Sequence, residues 1–426
     1  MDLTHCKLYR LDPAADPAEE ARQLRGLGPL VPVELPGGVA AWTATDLATA
    51  RRIFGHEDLT KDPAYWPALA DGRVPDSWEL IALVRGAGML HQGGAEHRRL
   101  RQLVSAAFTR APIEALRPRI MEIADELMDQ LGSTDEPVDL RERFAYPLPV
   151  RVICEVLGVP ATAVSELRHR FERLVTPQEG ATGEADIRVA VADIFSTLTS
   201  LLEVKRTSPG DDLTTALIQS RDAGDRLSEQ ELVETLFLIL IAGHETTLNS
   251  ITNTVHAFLK NPASLAMALE RDDAQTWGAA VDEGLRQSGP VRHALMRYAV
   301  VDVEIAGVRV AKGDPVIASL VAAGRDPGRH ENAEEFDISR SAPHDHAAFG
   351  FGAHYCLGAR LAKIETEIAL RSLFSRYPKL ALATEPERLA SISTNGYQSL
   401  WVHLNGGEMP EASGETIHQV NVGTNS

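Results

Sequence analysis

The sequence predicts a mainly α fold with small β-sheets, built as one large domain over residues 1–405. Three observations carry this reading. Segments 112–131, 146–157, 162–175 and 187–205 place apolar residues at helical spacing and are joined by short polar loops. A longer helix is announced at Ser228-Glu229-Gln230-Glu231, where a hydroxyl and a carboxylate three residues later can exchange bonds with the first free amides. Finally, the loop-like stretches 176–186 and 207–212 are too short to act as linkers, although 426 residues could supply several domains. The polar stretch 406–426 has no apolar period and reads as a tail.

Taken in order, 13–27 suits a short surface helix, and 31–35 with 39–43 flank Pro36-Gly37-Gly38 as strand, turn and strand. Residues 45–54 read as helix. The stretch 61–89 is irregular, and a long irregular segment in a chain of this size more often covers a site than fills a core. The helix over 96–103 sets His97 and Arg101 one turn apart on one face, where both can reach a single anion. The helix opened by Ser228 runs toward Asn261-Pro262 through Leu236–Ile241, which is apolar all round and so buried on every side. Directly after it stands Ala242-Gly243-His244-Glu245-Thr246-Thr247. A glycine, an acid and two threonines inside a buried helix break a local rule, which marks a function. Next come a helix over 274–287, an extended segment over 291–297 and an alternating strand region over 301–318.

Net charge is −18, which disfavours general affinity for nucleic acid or anionic membrane. Three scattered cysteines, Cys6, Cys154 and Cys356, argue against a disulfide framework and for a reducing compartment. The N-terminus has no basic region followed by an apolar core, and the longest strongly apolar run is under half a bilayer span. The expected location is the cytoplasm.

The most informative stretch is Phe349-Gly350-Phe351-Gly352-Ala353-His354-Tyr355-Cys356-Leu357-Gly358-Ala359-Arg360. Glycines on both sides of one cysteine allow the backbone close to something flat. Leu357, Leu361, Ile364 and Ile368 then start a helix whose positive end lies near the sulfur, an arrangement expected to lower the thiol pKa. A thiolate at the mouth of a glycine-lined loop is what a haem iron needs as a proximal ligand. Alone, Cys356 would read as a buried free thiol.

At these residues the chain resembles the cytochrome P450 family, whose signature Phe-Gly-x-Gly-x-His-x-Cys-x-Gly is matched in full by Phe349, Gly350, Gly352, His354, Cys356 and Gly358. The resemblance extends over about residues 25–405 and looks closest to actinobacterial members that oxidise small natural products, macrolides or steroids. It implies haem b with Cys356 as axial ligand, and His97, Arg101, Arg297 and His354 on the propionates. It implies that Ala242 and Gly243 leave room over the iron, with Glu245 and Thr246 as the acid–threonine pair that handles protons for O2; His244 is assigned to the helix surface. The substrate pocket it implies includes Leu238, Ala242, Val291, His293, Ala294, Tyr397 and Gln398, with Arg292 and His293 turned either to solvent or to a polar group of the substrate. Glu283, Arg286 and Arg340 correspond to a buried structural ion network rather than to chemistry. The family usually has Asp-Pro-Pro before the His97 helix, and Gln92-Gly93-Gly94-Ala95 departs from it, implying a looser turn.

The resemblance predicts a monooxygenase. No dinucleotide loop is visible, because the glycines around Cys356 do not follow a strand of a βαβ unit. Electrons are then expected from a ferredoxin, docked on a basic patch of Arg98, Arg99, Arg360 and Lys363. Oxidative ring coupling, peroxide-driven oxygenation and haem sensing without turnover stand as alternatives, the last two disfavoured by Glu245–Thr246.

Overall fold

The computed structural model describes residues 3, 6–86, 88–105, 108–160, 167, 183–219 and 227–407. The helix expected over 162–175, the loop over 177–186 and the tail over 406–426 lie almost entirely outside the described residues.

The principal helices are α1 (Pro17–Leu27), α2 (Leu47–Gly55), α3 (Gly94–Ser105), α4 (Arg117–Leu131), α5 (Pro147–Leu157), α6 (Gly183–Thr207), α7 (Glu229–Lys260), α8 (Ala274–Ser288) and α9 (Ala359–Arg376). α7 is the axis of the helical core, packed against α5, α8 and α9, while α4 packs on α9. Both bonds of its capping box form: Ser228 N–H donates to Glu231 Oε2 at 2.7 Å, and Glu231 N–H donates to Ser228 Oγ at 3.3 Å. The helix expected over 112–131 is two helices, Arg110–Ala115 and then α4. Pro118 explains the break, since it has no amide hydrogen with which to continue an earlier helix and is accommodated in the first turn of a new one.

Six strands form the main sheet: β1 (Tyr9–Arg10), β2 (Leu30–Leu35), β3 (Val39–Ala44), β4 (Leu59–Thr60), β5 (His293–Ala299) and β6 (Pro315–Ser319), in the order β1-β2-β3-β6-β5-β4. β2 and β3 are a hairpin pairing Leu30 with Ala44 and Leu35 with Val39; Gly37 and Gly38 lie at φ 80° and 77°, which suits glycine at the turn. β5 pairs antiparallel with β6, but its register shifts between Ala294 and Arg297. An irregularity of this kind re-aims side chains, and both Leu295 and Arg297 reach the large cavity described below.

Two buried ion clusters hold the parts together. Arg286 binds the Glu283 carboxylate through Nε at 2.7 Å and Nη2 at 2.8 Å, and gives its other donors to the carbonyls of Gly324, Ala333 and Glu335, each at 2.7 Å. Arg340 Nε and the Asp337 amide complete the same carboxylate at 2.9 and 2.8 Å. The second cluster corrects the sequence reading of Arg292 and His293. Neither turns to solvent nor to the cavity: Arg292 pairs with Glu20 at 2.9 Å and donates to the carbonyls of Asp12, Pro13 and Ser391, and His293 Nδ1 lies 3.0 Å from the Ile392 carbonyl. The polarity that looked anomalous on a pocket border instead ties β5 to α1 and to the segment around 391.

Arg286→Met leaves the Glu283 carboxylate and three carbonyls buried with missing partners, and should lower unfolding free energy by about 3–5 kcal/mol; denaturant titration of the purified protein measures it. Burial, with the Arg292 charge, pushes His293 down to about 3. The unfolded chain therefore takes up a proton near the ordinary histidine value while the fold refuses it, so stability present above that value is lost as pH falls. His293→Gln should reduce the loss of stability between pH 7 and pH 5.5 by about 1 kcal/mol, read from the same titration at the two pH values.

Candidate functional site

One large cavity lies between α7, the segment ending at Cys356 and the start of α9, with β5 on its flank. At its thiol wall, Gly350 and Gly352 have φ of 71° and 73°, the left-handed region that favours glycine. A Cβ on Gly352 would stand 3.0 Å from the Phe54 carbonyl oxygen. The turn is closed by the Cys356 amide donating to the Phe349 carbonyl at 2.9 Å. Cys356 lines the cavity and is exposed to it. The expectation of a lowered thiol pKa is corrected here: desolvation raises it, outweighing the Gly358 amide and the Arg101 charge, which lower it. Without a metal, the group is a thiol; a metal ion would have to displace its proton.

Around the same cavity stand His97, Arg101, Arg297 and His354. The two imidazole rings are 3.9 Å apart, centre to centre. Arg101 Nη2 donates to the Tyr355 carbonyl at 2.6 Å, and the Arg297 guanidinium lies 4.9 Å above the Phe54 ring. Desolvation first, then neighbouring positive charge (Arg101 foremost for His97, His97 and Arg297 for His354), pushes His97 down to about 4 and His354 to about 2, and desolvation pushes Arg297 to about 10. Lys61 joins them, held at about 7 by burial and by Arg297. The one acid among the described lining residues is Glu365, whose proton affinity burial raises well above that of an ordinary carboxyl. Converging cations with a single acid, Glu365, on the same wall fit a flat ligand bearing two carboxylates, and the thiol that faces the cavity fits a metal at its centre.

The opposite wall is α7. Ala242, Gly243 and Thr246 line the cavity, and Thr246 Oγ donates to the Ala242 carbonyl at 2.6 Å. A Cβ on Gly243 would come 3.2 Å from Ile153 Cδ1, so its small size also serves packing against α5. Glu245 points elsewhere: its Oε1 accepts from Thr394 Oγ at 3.2 Å. His244 is buried with its ring edge-on to Tyr146 at 4.5 Å, not on the helix surface.

Leu238, Val291 and Ala294 line the cavity, with Phe349, Gly350 and Gly358. Tyr397 and Gln398 do not belong to it. The Tyr397 hydroxyl is 2.8 Å from His256 Nδ1, near the far end of α7, and Gln398 is exposed with its amide on the Arg388 carbonyl. The turn that holds them is fixed between the residue after α8 and the later part of α7, because Asn395 donates to the Gly289 carbonyl and Asn253 to the Asn395 carbonyl. The basic patch is also corrected. Arg99 pairs with Glu96 and Glu231, Arg360 with Glu114 and Lys363 with Asp282, leaving Arg98 as the exposed member for which the described residues show no ion pair.

Sequence reasoning missed Lys61, Ser250 and Glu365 as lining residues. Glu365 could have been found, since it lies four residues after Leu361 on the apolar face of α9, where an acid is out of place. Lys61 carried no such signal: a lysine in a polar, irregular stretch reads as solvated charge.

Comparison with known proteins agrees with this geometry. A cytochrome P450 family model matches residues 275–390. The chain is 41% identical to 2-hydroxy-5-methyl-1-naphthoate 7-hydroxylase of Streptomyces carzinostaticus, over 93% of this chain and 98% of that one. It is 38% identical to cytochrome P450 monooxygenase PikC of Streptomyces venezuelae, over 89% and 88%. Among solved structures it is similar to CYP154C4 from Streptomyces sp. W2061, with a TM-score of 0.87, 38% identity, and coverage of 94% and 98%. Thiol, converging cations and polar helix wall thus agree with sequence and fold: the chain belongs to the cytochrome P450 family of haem-iron monooxygenases.

Proposed function

We propose that this chain inserts one atom of O2 into a small apolar natural product, a macrolide, steroid or related polycyclic molecule, using haem b and electrons from a ferredoxin. The balance is RH + O2 + two electrons + two protons giving ROH + H2O. When bound, the haem would supply the oxygen and redox chemistry, with Cys356 holding its iron and His97, Arg101, Arg297 and His354 holding its carboxylates. What the chain contributes beyond that is proton control and shape.

The observation that carries the reading is Thr246 on the wall of the cavity that also holds the Cys356 sulfur, with Glu245 beside it. The Thr246 hydroxyl can accept a hydrogen bond from a water or oxygen species in the cavity while donating to Ala242. Glu245, held outside the lining by Thr394, stands where a carboxylate can collect protons and pass them inward by a change of rotamer. Met89, Leu90, Leu238, Ile239, Val291 and Ala294 exclude water from the rest of the wall, which supports an apolar substrate. The name of the S. carzinostaticus relative, a naphthoate hydroxylase, supports a ring system of that size. With most of the proposed cationic patch neutralised by local carboxylates, charge steering of the ferredoxin rests on Arg98. The scattered cysteines support a reducing compartment, the cytoplasm.

Thr246→Ala should lower product formed per electron consumed by about tenfold and divert electrons to peroxide, while substrate affinity changes less than about threefold. Stoichiometry of reductant, peroxide and product measures it; unchanged coupling would contradict the assignment. Glu245→Gln should slow turnover by about ten- to a hundredfold and steepen its solvent deuterium isotope effect. Turnover with peroxide but none with O2 and reductant would instead favour a peroxygenase.

A further inference from the structure

Lys61 follows β4 directly, at the point where the chain leaves the main sheet for the irregular segment over the cavity. Its side chain turns inward to line that cavity, and its Nζ donates to the Leu295 carbonyl at 2.8 Å. Leu295 lies within the register shift of β5 and itself lines the cavity beside Arg297. An ammonium has three donors, and the carbonyl satisfies one.

The groups whose charges act on Lys61, or on which it acts, are Arg297, His91, His97 and His354. All are cationic or basic, and Glu365 is the one described acid on the cavity wall. Burial and Arg297 pull Lys61 down to about 7, and an anion arriving beside it would favour the charged form again. A half-buried lysine lining an apolar cavity without an ion-pair partner is costly, and a lysine serving only the Leu295 carbonyl could be replaced by a neutral donor at lower cost. Its placement makes sense if negative charge comes to it.

We propose that Lys61 is a further anchor of the cofactor: an ammonium held on the Leu295 carbonyl that binds a haem carboxylate, alongside His97, Arg101, Arg297 and His354. This rests on the reading above that the haem carries two carboxylates. It adds a link, since the same ammonium joins the cofactor edge to the segment of β5 that borders the substrate. Lysine is suited to this double role because its three donors can serve a carbonyl and a carboxylate together.

The test is transfer of haem from the holoenzyme to excess apomyoglobin, for wild type, Lys61→Arg and Lys61→Met. Lys61→Met should lose haem on the order of tenfold faster than wild type, and Lys61→Arg should stay within about threefold, both retaining a thiolate-ligated haem spectrum. Should Lys61→Met not fold, Lys61→Gln and the haem carboxylate bending band in resonance Raman replace it: a shifted band with faster loss supports the anchor. Equal loss rates and an unshifted band overturn it, as does unchanged retention with altered binding of carboxylated substrates, which would make Lys61 a substrate contact. A wild type that holds no iron protoporphyrin IX would sink the cofactor reading as well, so the two failures are separable.

Discussion

Unbalanced positive charge around one cavity is the constraint on which the rest of this structure depends. Arg101, Arg297 and Lys61 converge there with two imidazoles whose proton affinity is suppressed, and burial raises the proton affinity of the acid that shares the wall. Like charges brought together in a desolvated space repel, and a fold tolerates them only if the bound state returns the cost. The thiol of Cys356 on the same cavity offsets none of this charge, because desolvation raises its pKa and favours the neutral form. Sulfur and cations together fit the cofactor proposed above, an anionic porphyrin with iron at its centre.

The scaffold explains how so many charges are held in place. Arg286 uses every donor it has, and Glu283 is bound by two arginines and an amide, so the segments before Cys356 are pinned to α8. Arg292 does the same for the N-terminal segment and the strand that carries Leu295 and Arg297. The Arg286–Glu283 cluster has every arginine donor and both carboxylate oxygens engaged, and the cavity cations do not. That contrast separates structure from function among the buried charges of this chain.

Much of this was legible in the sequence. The helix of Ser228 was, because capping and an all-round apolar run are local signals, and the Cys356 turn was, because two positive-φ glycines at fixed offsets have few other uses. What escaped depended on partners far along the chain. Arg292 and His293 looked like pocket polarity because Glu20, which buries with them, lies more than two hundred residues earlier. Tyr397 was placed in the pocket by its turn, but His256 draws its hydroxyl away. Arg99, Arg360 and Lys363 looked like a free patch because Glu231, Glu114 and Asp282 come from other helices. Charge in a sequence is visible; its neutralisation is a tertiary fact.

The most direct test of the central claim is the absorption of the reduced protein under carbon monoxide, for wild type and Cys356→Ser. The account predicts the red-shifted Soret band of a thiolate-ligated haem in wild type and its loss in the variant. A wild type with the band of a histidine-ligated haem, or a serine variant that keeps the thiolate band, would contradict it.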